Sequence, residues 1–268
     1  MGAFVRFVNS QGWATGSSDD DFLYRVDPSA YFFALDGNTV VGTVAAVSYD
    51  KDIGFIGYHA VRSDMRGSGI GKALMNCALS KLRPRNIGVN CLKSDMGFYE
   101  KFGFSPSYRI ISYEGTAKAG SPDFTDMVSP FMIAFEKLQD YDRMIFSCDR
   151  KRFLSNWHAQ PQSLLMAKYV EDRYKGYAMF RPSPAGYIIA PLICDDPSTA
   201  ESLLHILEAH MPAGSKYVID IPGANAGGLR LAEKFMMKKC NEVTRMYSPS
   251  PPPFSLDKIF SLPAAEIG

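Results

Sequence analysis

"VRSDMRGSGIGKALMNCAL", residues 61–79, is the stretch that decides the fold. A strand-forming run, "DIGFIGYHAV", ends at Val61. A basic, glycine-rich loop follows. Leu74, Ala78 and Leu82 then recur at helical spacing with Cys77 on the same face, until Pro84 ends the helix. This order presents backbone N–H groups at a helix N-terminus, where they bind anionic oxygens while glycines let the ligand approach. Two common phosphate loops fail on spacing. A dinucleotide G-x-G-x-x-G begun at Gly67 requires glycine where Lys72 stands. A Walker A loop ending at Gly71-Lys72 requires glycine in place of Arg66, and Ser or Thr in place of Ala73.

Working outward, "YFFALDGNTVVGTVAAVS" reads as a hairpin that turns at Asp36-Gly37-Asn38. Downstream, "NIGVNCL" is a strand, "MGFYEKF" a short helix and "SYRIISYEG" a strand that closes the unit. The loop "GTAKAGSPDFTD" breaks the pattern, and the rhythm resumes after Ser129. A helical "DRKRFLSNW" leads to strands around "SLLMAKYV", "KGYAMFRP" and "GYIIAPLIC". Helix "STAESLLHILEAHM", strand "KYVIDIP", helix "AGGLRLAEKFM" and strand "EVTRMYS" follow. A chain of 268 residues suits two domains, and the second half repeats the α/β order of the first. The expected units are residues 1–116, a linker at 117–128, a second unit at 129–248, and a proline-rich linker with its tail at 249–268.

A net charge of +1 with no basic block argues against nucleic-acid binding. No apolar run reaches membrane-spanning length, so no membrane partner is expected. The start "MGAFVRFVNSQGW" has no signal-peptide core, and Arg6 stands where a myristoylation motif needs Ser or Thr. The five cysteines are scattered without CxxC pairs, which reads as free thiols in a reducing, cytoplasmic compartment. His158, His205 and His210 are isolated, and no metal site is expected.

Arg66-x-x-Gly69-x-Gly71 after a strand, with "FYEKFGFSP" at residues 98–106, resembles the acetyl-CoA loop and second motif of the GCN5-related N-acetyltransferases (GNAT). The likeness covers nearly the whole chain. "QGWATGSSDDDFLYRVDPSAYFFAL" and "FIGYHAVRSDMRGSGIG" resemble the first module of a tandem GNAT group. "CDRKRFLSNW", "GYIIAPLICDDPSTAESLL", "VIDIP", "RMYS" and "IFSLPAAEIG" resemble its degenerate second module and tail. The resemblance implies an α/β (α+β) chain of tandem GNAT folds, each a twisted mixed sheet flanked by helices with splayed central strands. It implies acetyl-CoA as co-substrate and an N-acetyltransferase acting on a primary amine, expected to be a small molecule. The alternatives are a protein lysine or N-terminal acetyltransferase and a non-catalytic CoA-binding sensor.

By the same resemblance, Arg66, Gly67, Ser68, Gly69, Ile70, Gly71 and Lys72 hold the pyrophosphate, and the backbone of His59, Ala60 and Val61 pairs with the pantetheine arm. Tyr99 stands where many relatives keep a tyrosine that protonates the departing thiolate; packing on the sulfur is its other reading. His59, with an ordinary pKa of about 6.5, is either a general base or a packed, hydrogen-bonded side chain. Trp13, Asp20, Asp21 and Asn90 are candidates for the substrate side, although Asp19 to Asp21 also read as a solvated turn and helix cap. The second half has Asp195 and Asp196 in place of a glycine loop, and Ser198 with Glu201 reads as a capping box, so that half is not expected to bind CoA. The N-terminal half alone is expected to bind it, in a monomer or homodimer. The apolar residues Phe254, Leu256, Ile259, Phe260 and Leu262 predict an ordered, docked tail over 254–264.

Overall fold

The hairpin forms as the pattern requires: β1 (Tyr31–Asp36) and β2 (Thr39–Ser48) pair antiparallel, with Gly37 at a φ of 57° in the turn. The computed structural model describes residues 1–13, 15–157, 159–264 and 268. Helices α1 (Gly2–Ser10) and α2 (Asp19–Val26) precede the hairpin. After it come β3 (Ile53–Val61), α3 (Ile70–Leu82), β4 (Asn86–Cys91), α4 (Met96–Glu100) and β5 (Ser105–Thr116). A short β6 (Met127–Val128) leads to α5 (Phe135–Phe146) and α6 (Lys151–Trp157). The strand–helix order then repeats as β7 (Leu164–Val170), β8 (Arg173–Ser183), β9 (Gly186–Cys194), α7 (Pro197–Ala209), β10 (Lys216–Pro222), α8 (Ala226–Lys234) and β11 (Lys238–Ser248). The last strand is β12 (Ile259–Ser261).

All these strands join one sheet in the order β1-β2-β3-β4-β11-β5-β10-β9-β8-β7-β6, with β12 on β9. The order corrects one expectation. β5 does not close the first unit; it lies between β11 and β10, while β11 lies between β4 and β5. Each half is therefore completed by the last strand of the other. Alternation along "SYRIISYEG" shows that it is a strand but carries no record of its neighbour. Cutting in the 117–128 loop would strip β4 of β11, so the expectation that residues 1–116 bind CoA by themselves loses its basis.

The two halves also share a core. Phe4, Phe22 and Leu23 pack in one cluster with Phe153, Trp157 and Met179. Within this contact, Arg181 of β8 pairs with Asp19 of α2 at 3.0 Å, both side chains buried, and the guanidinium lies 4.5 Å from the Trp157 ring centre. Asp19 is thus a bridge between the halves as well as a local acceptor for the Gly16 N–H.

Each half contains a place where two parallel strands part. β3 and β4 pair only from Ile53↔Asn86 to Ile56↔Val89. β9 and β10 pair at Tyr187↔Tyr217 and Ile188↔Val218. The second gap is filled. β12 pairs antiparallel with Leu192 and Ile193 of β9, and the Leu262 N–H donates to the Asp220 carbonyl of β10. Ser261 Oγ donates to the Ile189 carbonyl and accepts from the Asp220 N–H, and Asn225 Nδ2 donates to the Ile259 carbonyl. Ile259, Phe260 and Leu262 are all buried, as expected for an ordered tail.

The helix after this gap starts differently from the sequence reading. Asp196, not Ser198, caps α7 by accepting from the Thr199 N–H at 2.9 Å, because Pro197 sets the first helical position one residue upstream. Glu201 turns to Lys234 instead of back to a cap.

Burial of Ile259, Phe260 and Leu262 contributes roughly 1.5–3 kcal/mol each, which outweighs the ordering cost of a three-residue strand. Truncation after Pro253 should lower the melting temperature by several degrees in differential scanning calorimetry; an unchanged value would mean the strand adds nothing.

Candidate active site

The unfilled gap between β3 and β4 is shaped by a bulge. Register against β2 slips between Thr43 and Ala45, and Tyr58 takes a left-handed φ of 48°. That conformation is costly for a tyrosine, by about 1–3 kcal/mol. It is held by Thr43 Oγ1, which donates to the Tyr58 carbonyl at 3.0 Å in a buried site. The extra residue resets the alternation of the strand. Ile56 packs in the core beneath α3, while Tyr58 packs on the opposite face with Phe4 and Trp13. His59 consequently returns to the α3 face.

There the two ring nitrogens of His59 are both engaged. Nε2 lies 2.9 Å from the Gly71 carbonyl and Nδ1 lies 3.1 Å from Tyr99 Oη. A carbonyl only accepts, so Nε2 carries the hydrogen; Nδ1 of the neutral ring accepts from the phenol. Burial lowers the His59 pKa, against the raising effect of the Gly71 carbonyl, and so favours that neutral ring. Burial also pushes the Tyr99 phenol well above its ordinary range. Tyr99 therefore stays protonated with its hydrogen directed at His59. Phe98 stacks on the histidine with ring centres 5.4 Å apart.

Directly before α3, Gly67 and Gly69 have φ values of 82° and 90°, and no atom lies within 4 Å of where a Cβ would stand on either. Gly69 is the N-cap residue, no side chain caps the helix, and the first N–H to turn back is that of Ala73, to Gly69 O. The N–H groups of Ile70, Gly71 and Lys72 thus face outward as an anion cradle. Arg66, Ser68 and Lys72 are exposed around it, with Arg66 Nε on the Val61 carbonyl at 3.3 Å and Ser68 Oγ on the Met65 carbonyl at 2.6 Å. An uncapped helix end, open left-handed glycines and the adjacent unpaired edge of His59, Ala60 and Val61 fit a pyrophosphate with its pantetheine arm.

At the point of the gap, a cavity of about 20 Å³ is lined by Trp13, Phe55, Gly57, Tyr58, His59, Asn90 and Tyr99, among others. Of the substrate-side candidates, Trp13 and Asn90 are brought to this wedge. Asp21 is exposed on α2 and is not among the lining residues; the Asp20 side chain and His158 lie outside the described residues. No group of metal-ligating side chains occurs among the described residues. Arg245 of β11, the first residue of "RMYS" and not a site candidate from the sequence, hydrogen-bonds Asn90 across the strands. Its buried position beside the wedge could not be read without the strand order.

A splayed sheet with an anion cradle at the following helix N-terminus and a tyrosine at the point of the wedge is the architecture of a CoA-dependent acyltransferase. The acetyltransferase (GNAT) family model matches residues 6–104, and the acetyltransferase (GNAT) domain model matches residues 138–261. The chain belongs to the GNAT superfamily as a tandem member and is an acyltransferase. It is 22% identical over 261 residues to a holothin acyltransferase of Pseudoalteromonas sp. (strain SANK 73390), covering 97% of this chain and 88% of that protein. A putative acetyltransferase from Pyrococcus horikoshii shares the fold with a TM-score of 0.81 and 23% identity, over 94% of this chain and 84% of the other. A tandem GNAT protein from the clavulanic acid biosynthesis pathway aligns with a TM-score of 0.61 and 14% identity, over 87% and 88% of the two chains.

The cradle makes a direct prediction. Gly69→Val should reduce CoA affinity at least tenfold in calorimetry, since a β-branched residue at that φ is strained and would re-aim the N–H groups. Arg66→Ala should weaken binding by roughly 1–3 kcal/mol, the worth of a charge-assisted contact. Undiminished affinity in the Gly69 variant would remove this loop as the binding site.

Proposed function

We propose that the protein transfers the acetyl group of acetyl-CoA to the nitrogen of a small primary amine, at one site per chain. The observation that carries this reading is the pairing of an uncapped cradle with an open gap that ends on the Tyr99–His59 hydrogen bond. In the second half both features are missing: Asp196 caps α7, and β12 occupies the gap.

In this reading the neutral amine enters from the face of Trp13, Tyr58 and Asn90, while the pantetheine arm runs along His59 to Val61. The amine nitrogen attacks the thioester carbon, a C–N bond forms, and the C–S bond breaks as the tetrahedral intermediate collapses. Oriented backbone N–H groups near His59 or Ala60 would stabilise the oxyanion. The thiolate takes a proton from Tyr99, and the proton that the amine nitrogen loses passes to water and restores the phenol, so the products are the amide and the free thiol. His59 is better placed to orient the phenol than to deprotonate the amine, since both its ring nitrogens are engaged on the α3 face. The aromatic side chains of Trp13, Phe55 and Tyr58 that wall the point of the wedge support a small acceptor over a protein segment. The scattered free cysteines support a cytoplasmic setting; among the described residues no helix is long and apolar enough to cross a membrane.

The reading is tested by following free CoA thiol release with a panel of amines. Tyr99→Phe should lower kcat by about 10²-fold with little change in acetyl-CoA affinity. Equal turnover in wild type and variant would reduce Tyr99 to a packing residue. CoA binding without turnover of any amine or peptide would support a sensor instead.

A further inference from the structure

Three arginine side chains are almost fully buried, and two of them face a carboxylate. Arg150 forms a two-bond pair with Asp142 at 2.9 and 2.6 Å, and Arg181 pairs with Asp19. The third is Arg245, 1% exposed on β11. Its Nε donates to Asn90 Oδ1 at 2.6 Å and its Nη1 to Tyr247 Oη at 3.2 Å. Aromatic rings surround it, with Phe55 at 4.6 Å from the guanidinium carbon to the ring centre and Tyr108 at 5.8 Å. Among the described residues Nη2 has no hydrogen-bond acceptor, and no ion pair joins this side chain to a carboxylate.

Rings and neutral oxygens share a positive charge but do not cancel it. A buried guanidinium with a vacant N–H pair is an expensive arrangement unless an anion arrives to complete it. Position narrows the identity of that anion. Two of the direct neighbours of Arg245, Asn90 and Phe55, line the wedge where the strands part. Met246 packs with the core under α3, so its neighbour Arg245 points to the opposite face of the sheet, the one that carries Tyr58. The phosphate cradle is on the α3 side, so the missing anion is not a phosphate of the cofactor.

We infer that the acceptor is an amine that also bears a carboxylate, and that Arg245, with Asn90 holding its Nε, binds that carboxylate through Nη2. This rests on the acetyl-transfer reading and deepens it. A guanidinium donates charge-assisted hydrogen bonds to a carboxylate, and Nη2 is the Arg245 nitrogen without an acceptor among the described residues. Side chains at the wedge must shift to admit the molecule, because the cavity is only about 20 Å³. Charge pairing inside a buried site gives selectivity as well as affinity. A neutral acceptor would leave the guanidinium without its partner, and a purely cationic one would be repelled.

The experiment uses the full-length protein with acetyl-CoA and a panel of matched pairs. Glycine, β-alanine, γ-aminobutyrate and larger amino acids are each set against their carboxamides, with plain alkylamines added. Thiol release is followed, alongside the thermal shift of the CoA-bound protein. At least one acid should exceed its amide by about 10²-fold in kcat/KM. Arg245→Gln and Arg245→Lys should erase or shrink that ratio while the acetyl-CoA dissociation constant stays within twofold. Amides or alkylamines turned over as well as the acids would overturn the inference and leave the acetyltransferase reading standing. So would an acid preference that persists in a folded Arg245→Gln protein. If the variants do not fold, the acid-to-amide ratio of the wild type decides alone. If no member of the panel is turned over and no acid shifts the melting temperature, the inference fails; a peptide substrate would still satisfy acetyl transfer.

Discussion

A parallel pair of strands that separates leaves two rows of backbone N–H and C=O groups, and those groups need partners wherever they are shielded from water. Both halves of this chain contain such a separation, after Ile56 and after Ile188, and they meet the demand differently. In the second half the chain supplies its own third strand, β12, and the site is complete without a ligand. In the first half no described residue pairs with β3 on this side beyond Ile56, beside an uncapped helix, and the proposed pantetheine arm would supply the missing strand. The architecture of the site follows from this difference. The same fold is a binding site where its gap is vacant and a structural brace where its gap is filled.

The bulge at Tyr58 decides what a ligand in the open gap meets. Without the extra residue, strict alternation would send His59 to the face of Phe4 and Trp13, with no route to Tyr99. With it, the histidine joins the α3 face, where Gly71 fixes its tautomer and its free nitrogen holds the phenol hydrogen. One buried bond from Thr43 therefore links a hairpin strand to the direction of a proton. The opposite face keeps Asn90, Phe55 and the unpaired charge of Arg245. Tyr99, the proposed acid, and Arg245, the proposed acceptor contact, thus lie on opposite faces of one sheet and approach each other only at the opening.

Much of this was legible in the sequence, where local rules apply. Gly67 and Gly69 mark the cradle because only their backbone freedom permits it, Asp36-Gly37-Asn38 marks the hairpin, and Ile259, Phe260 and Leu262 mark a tail too apolar to stay loose. Contacts that join distant segments were not legible. Asp19 looks like part of a solvated acidic run until Arg181, far along the chain, is placed against it. Arg245 sits in "RMYS" as an ordinary strand residue, and its significance depends on β11 lying beside Asn90. The exchange of β5 and β11 left no trace, because alternation reports which face a side chain takes and says nothing of the strand next door. The cap of α7 was misplaced for a smaller reason, since Pro197 begins the helix before the Ser198 signal is reached.

The exchanged strands also impose an order on synthesis. When the ribosome has produced residues up to β5, the first sheet has β1 to β4 in hand, but the strand that belongs beside β4 is β11, more than a hundred residues away. Until Lys238 to Ser248 emerge, the edge of β4 is unpaired and β5 has neither of its final neighbours. An exposed strand edge invites wrong partners, and pairings distant in sequence form slowly because a long loop must close first. The nascent chain therefore carries its functional half unfinished for most of its translation.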